Sequence, residues 1–267
     1  MKADISSVAF LTVIVGMAIS GILTIATSWV YFLKPLNLVI VALFATSGIF
    51  QYGVSRRFFY SAIRNLGANI TSPIIMVTLT VSGVLAGALL LNERVAVLMV
   101  PGIALVIFGG VLLEARQAAG LRGGATRGGY LAAIASGIIP AFTAVMVSYG
   151  LSIYPFVISS VFISYSAAFF YFLFAVRVRS IGSLLKTSPK RSVIAFAFAG
   201  VIALTAQLFR TGALELAPVV LVIPFSTSSN LFIPFFTWQL AKDVELFNLR
   251  TMIGIVVITL GLIMISL

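Results

Sequence analysis

The stretch FFYSAIRNLGANITSPIIMVTLTVSGVLAGALLLNERVAVLMVPGIALVIFGGV, residues 58–111, decides the fold, because a second version of it lies near the C-terminus. Phe58, Ala62, Ile63 and Pro73 are echoed by Phe209, Ala213, Leu214 and Pro224 at an offset of about 151 residues. Glu93, Gly102 and Gly109 are echoed by Glu245, Gly254 and Gly261 at about 152. Each copy has a long apolar segment with an early proline, a short acidic turn, and a second apolar segment carrying two glycines seven apart. The chain is an internal duplication.

Composition sets the medium in which the copies fold. With 61% hydrophobic residues, 9% charged residues and a mean hydropathy of +1.19 over 267 residues, the chain is far too apolar for a soluble domain. There are no cysteines and no histidines, so thiol nucleophiles, disulfides, zinc sites and imidazole acid/base chemistry are excluded by inventory. The net charge of +11 falls in short turns between apolar runs, which is a topology signal and not a nucleic-acid surface.

These features imply an all-α polytopic membrane protein with nine spans. Four lie at about 8–33, 36–58, 68–91 and 95–113, and five at about 130–150, 155–176, 192–214, 217–241 and 250–267. Residues 1–114 form the first repeat, 115–129 a glycine- and arginine-rich linker, and 130–267 the second repeat. On alternating connections, Arg56, Arg57, Arg64, Arg116, Arg122, Arg127 and the basic loop from Arg177 to Arg191 fall on one side. Only Lys34, Arg94 and Arg210 fall on the other, so the N-terminus is expected inside and the C-terminus outside. The third and eighth spans are then equivalent in sequence but an odd number of crossings apart, so they are expected to run in opposite directions. Inverted repeats of this kind recur in secondary transporters, where two halves exchange conformations around a shared site.

The run Phe58-Phe59-Tyr60-Ser61-Ala62-Ile63, then Gly67-Ala68, Leu90-Leu91-Asn92-Glu93-Arg94, Gly102 and Gly109-Gly110, resembles the repeat of the drug/metabolite transporter superfamily, EamA type. Gly212-Ala213-Leu214, Leu216-Ala217-Pro218, Lys242-Asp243-Val244-Glu245, Gly254 and Gly261 are similar to that family's second half. The resemblance implies ten helices in two inverted five-helix repeats around a cavity that moves small organic metabolites or amphipathic compounds. Nothing before Val8 supplies the first helix of the usual ten, so a truncated start or a nine-span relative is expected. By the same resemblance the second and third spans and their counterparts line the cavity. A cell membrane, plasma or inner, is the expected location.

Gln51, Gln207 and Asn230 carry amides that are costly in lipid and should face the bundle interior. With Tyr52, Asn69 and Tyr149 they form the candidate substrate contacts, against the plainer reading of helix-to-helix hydrogen bonds or interface anchors. The glycines at 102, 109, 254 and 261 are assigned to helix packing, including a homodimer contact. All six acids fall at span ends, which leaves no obvious proton-coupling carboxylate at mid-depth. Arg210 and Glu215, near the outer end of the seventh span, are the pair expected to form a gate if a charged one exists. No catalytic cluster, metal ligand set or cofactor motif appears, so an enzyme is not expected. The alternatives are a flippase for lipid or lipid-linked substrates, for which a pocket with arginines at mid-depth would speak, and a non-transporting membrane scaffold subunit.

Overall fold

A computed structural model describes residues 5–32, 37–117, 126–175, 190–227 and 249–266. Among these residues there are helices and turns and no strands. The helices are α1 (Ile5–Phe32), α2 (Leu38–Gly48), a π-helical turn (Ile49–Ser55), α3 (Arg56–Leu66), α4 (Ala68–Leu90), α5 (Met99–Gln117) and α6 (Arg127–Ile153). Beyond them come α7 (Val157–Ala175), α8 (Lys190–Leu216), α9 (Val219–Thr227) and α10 (Leu249–Ser266). Six helical stretches, among them Leu38–Leu66 and Arg127–Ile153, are long and apolar enough to cross a membrane. In a bilayer every backbone polar group must be paired within the chain, and helices do that segment by segment. The protein is therefore a helical, membrane-embedded one.

One boundary differs from the sequence reading. The second span does not stop near Phe58 with Arg56 and Arg57 as its end: α2, the π turn and α3 run without a break to Leu66. The break comes at Gly67, whose φ of 83° is a conformation that favours glycine. The exposed faces suit lipid. Ile25, Leu89, Phe174, Phe209 and Leu216 stand far out of the protein, a display of apolar surface that water would penalise and hydrocarbon does not.

The chain divides into two compact units, one from Met1–Tyr60 with Thr143–Ala217, the other from Ser61–Phe142 with Pro218–Leu267. In the first, α1, α2, α7 and α8 pack together around Phe10, Val13, Tyr52, Tyr165, Phe172 and Leu204, all buried. Lipid tails are as apolar as leucine, so close packing must hold these helices together, and small residues permit it. A Cβ on Gly16 would strike the Tyr165 ring, and one on Gly48 would strike the backbone of Ser164. Hydroxyls on α1 turn back onto their own helix, Ser20 donating to the carbonyl of Gly16 at 2.6 Å and Thr24 to that of Ser20 at 2.8 Å. Such bonds satisfy a polar side chain where water is absent.

In the second unit α5 and α10 lie antiparallel with their glycine faces together. A Cβ on Gly102 would sit 2.7 Å from the carbonyl oxygen of Gly261, and one on Gly109 2.9 Å from that of Gly254. Helices α4 and α9 are antiparallel as well, with Gly83 against Ile223, Gly87 against Val220, and the hydroxyls of Thr80 and Thr227 3.2 Å apart. At the start of α9 the Glu93 carboxylate accepts from the backbone N–H groups of Val219 and Val220, both at 2.8 Å. Gly87 leaves room for it, since a Cβ there would come within 2.5 Å of Glu93 Oε2. The first N–H groups of a helix have no partner within it, and a carboxylate also complements the positive end of the helix dipole.

Candidate functional site

The first unit holds a small polar cavity of about 10 Å³, room for about one water molecule. Four helical stretches build it. Ser47 comes from α2, Gln51 and Tyr52 from the π turn that continues it, Thr143 and Val147 from α6, Ser160, Val161 and Ser164 from α7, and Gln207, Arg210, Thr211 and Leu214 from α8.

Local structure explains why these side chains meet. A π turn widens the helix by one residue, shifts the phase of the next turns and leaves side chains aimed where an α-helix would not put them. Here that turn carries Gln51 and Tyr52. On α8, Gln207, Arg210, Thr211 and Leu214 are spaced i, i+3, i+4 and i+7, one face of a helix. Ser160 and Ser164 are one turn apart on α7.

Within the cavity the polar groups hold one another. The Thr143 hydroxyl donates to Gln51 Oε1 at 2.6 Å, and Gln207 Nε2 donates to the Thr211 hydroxyl at 3.3 Å. Ser164 donates to the carbonyl of Phe44 at 2.9 Å, with the Ser47 hydroxyl 3.5 Å from its own. Tyr52 is fixed from two sides: its ring stacks on Tyr165 at 4.1 Å between centroids, and the Arg56 guanidinium lies 5.5 Å from the ring centre. Arg56 also donates to the Thr12 hydroxyl of α1 at 2.5 Å. The cavity thus has a cation, Arg210, and no carboxylate among its described lining residues.

Four of the residues selected from sequence, Gln51, Tyr52, Gln207 and Arg210, come together in the cavity lining. Tyr149 is 52% exposed and is not among the lining residues. Glu215 is exposed, five residues beyond Arg210 and about 140° around the helix. A gate built from both would need Glu215 to turn toward the cavity. Asn230 and the side chain of Asn69 lie outside the described residues. The sequence reading did not pick Thr143, Ser160, Ser164 or Thr211 for the cavity; the hydroxyl spacing on α7 and the i+4 step from Gln207 to Thr211 were the signals that could have found all but Thr143.

Fold and cavity together define a helical membrane protein with a polar, cationic recess inside one of its helical units. No family model matches the chain, and no curated protein matches it. Solved structures do match, 23 chains in all. One, described as the crystal structure of a protein, aligns at a TM-score of 0.68 over 98% of this chain and 87% of its own, with 18% sequence identity. At that identity the likeness concerns the fold alone.

Proposed function

We propose that the chain is a secondary transporter that moves small organic metabolites or amphipathic compounds by alternating access, as its resemblance to EamA-type drug/metabolite transporters implies. The observation that carries the reading is the cavity: amides, hydroxyls and a guanidinium gathered inside a unit of apolar helices. Such groups are costly to keep in a membrane, and a solute-binding role accounts for their convergence. The pairing of α4 with α9 and of α5 with α10 lends support, because each pair joins sequence-equivalent helices and each is antiparallel. That is the relation an inverted repeat requires. On this reading a homodimer contact through α5 and α10 uses their outer faces, since the glycine faces meet each other.

Reconstituted proteoliposomes test it, loaded and probed with amino acids, sugars, organic acids and lipophilic cations. Wild-type vesicles should exchange at least one class faster than protein-free vesicles, and Gln51→Leu with Gln207→Leu should reduce that rate at least tenfold. Transport undiminished in the double variant would take the cavity off the solute path. The flippase reading draws on Arg210 in the cavity and is separated by the same vesicles: movement of a head-group-labelled lipid between leaflets, without solute exchange, would favour it.

A further inference from the structure

Independently of the carrier reading, we infer that helix α3 docks the head group of an anionic phospholipid, held by Arg57 and Arg64 with the Tyr171 hydroxyl of α7. The stretch Leu38–Leu66 is 29 residues long, about 43 Å of helix against a hydrocarbon core of about 30 Å. A helix needs about 20 residues to cross that core, and counted from Leu38 they end at Arg57. The rest of α3 therefore runs on among the head groups. Its composition fits that depth: Arg56–Leu66, RRFFYSAIRNL, has three arginines and no acid.

The helix sorts these residues by face. Arg57, Ser61 and Arg64 follow one another at i, i+4 and i+7, a single stripe, while Ala62 and Leu66 are buried on the opposite side. Arg57 and Arg64 are exposed, and among the described residues neither has a carboxylate partner. Arg56 differs, being occupied by Thr12 and the Tyr52 ring. Arg57 Nη1 donates to the Tyr171 hydroxyl at 3.4 Å, on a helix that carries no charged residue. That hydroxyl accepts from Arg57 and so keeps its own hydrogen for a phosphate oxygen. The guanidinium fork matches two more oxygens of a phosphodiester. Phe58 and Phe59 stand partly exposed beside Arg57, and aromatic rings flanking a cation suit the boundary between acyl chains and head groups. Because the stripe begins where hydrocarbon ends, the anion that meets it is one carried on acyl chains. The cation distribution also predicts this end to be cytoplasmic, where anionic lipid is enriched and each nearby arginine contributes about fivefold in affinity.

The test uses the purified full chain in a neutral detergent. It is offered phosphatidylglycerol, phosphatidylcholine with the same acyl chains, or inorganic phosphate; bound lipid is counted by native mass spectrometry and the unfolding midpoint is recorded. Phosphatidylglycerol should stay bound and raise the midpoint by several degrees, and the other two should do neither. Arg57→Gln with Arg64→Gln should weaken retention of phosphatidylglycerol about 25-fold, about fivefold for each arginine, with little change in the lipid-free midpoint. If that variant does not fold, Arg64→Gln alone serves, with an expected loss of about fivefold. Arg94→Gln removes an exposed cation from the turn between α4 and α5 and should retain lipid as the wild type does. Equal retention of the two lipids, undiminished retention in the arginine variants, or an equal loss in Arg94→Gln would each overturn the proposal. So would a response to inorganic phosphate alone, or a dimer that the double variant abolishes while lipid retention stays unchanged, which would make a second copy of the chain the occupant.

Discussion

Gly102 and Gly261 show how much one hydrogen atom in place of a methyl group can matter in this protein. Each would put a Cβ within 2.7 Å of the other's carbonyl oxygen, and a backbone oxygen cannot swing aside as a side-chain end can. Gly102→Leu should therefore force α5 and α10 apart and lower stability by about 1–3 kcal/mol, the usual range for overpacking, read as a fall in the unfolding midpoint in detergent. Gly212, in α8, is the control, because a Cβ there would meet nothing within 4 Å. Gly212→Ala should be neutral or gain up to about 1 kcal/mol from helix propensity. Glu93 makes the opposite argument, for a side chain that must be present. Glu93→Ala leaves the N–H groups of Val219 and Val220 without their acceptor, at a cost of about 1–2 kcal/mol on the scale of lost helix caps. Glu93→Gln, which keeps one acceptor oxygen but no charge, should fall between; equal midpoints for Glu93→Ala and wild type would dismiss the cap.

Among the elements, the π turn at Ile49–Ser55 is the one on which the cavity depends. Removing a single residue should restore an ordinary α-helix and preserve the phase of α2 and α3 on either side. Phe50, 45% exposed, is the residue to delete, since little packs on it. The shortened protein should fold with an unfolding midpoint within a few degrees of wild type, yet lose solute exchange in vesicles because Gln51 and Tyr52 no longer aim into the cavity. Retained exchange would show that the turn is incidental. This element also marks where sequence reading stops. The glycine spacing at 102/109 and 254/261 was legible, because a repeated small-residue face has one physical use in lipid, and so was the interior placement of Gln51 and Gln207, because amides avoid hydrocarbon. The π turn was not, since Ile49–Ser55 holds nothing that distinguishes an i+5 turn from an i+4 one. Arg56 and Arg57 were misplaced as a span end for a different reason: a charge normally reads as the limit of a membrane segment, and here Arg56 is accommodated by Thr12 and the Tyr52 ring while the helix continues. Arg210 and Glu215 are near in sequence, and helical phase sets them about 140° apart on α8.

For the whole molecule the decisive quantity is sidedness. Helices α5 and α10 are antiparallel, so the C-terminal end of α5 at Gln117 and the C-terminal end of α10 at Ser266 lie at opposite ends of one helix pair. If that pair crosses the bilayer, the two positions must face opposite sides, whichever side is cytoplasmic. By the positive-inside rule the excess of cations following α5 and around Arg127 predicts Gln117 on the inside and Ser266 outside. The chain contains no cysteine, so single cysteines report without background. In sealed cells an impermeant thiol reagent should label Ser266→Cys, and label Gln117→Cys only after the membrane is opened. The two outcomes that differ from this carry different meanings. Reversed labelling would overturn the charge reading and leave the antiparallel pair intact. Labelling of both positions from one side would mean that the pair does not span the membrane with its ends on opposite faces, and the inverted repeat, with the alternating access built on it, would lose its footing.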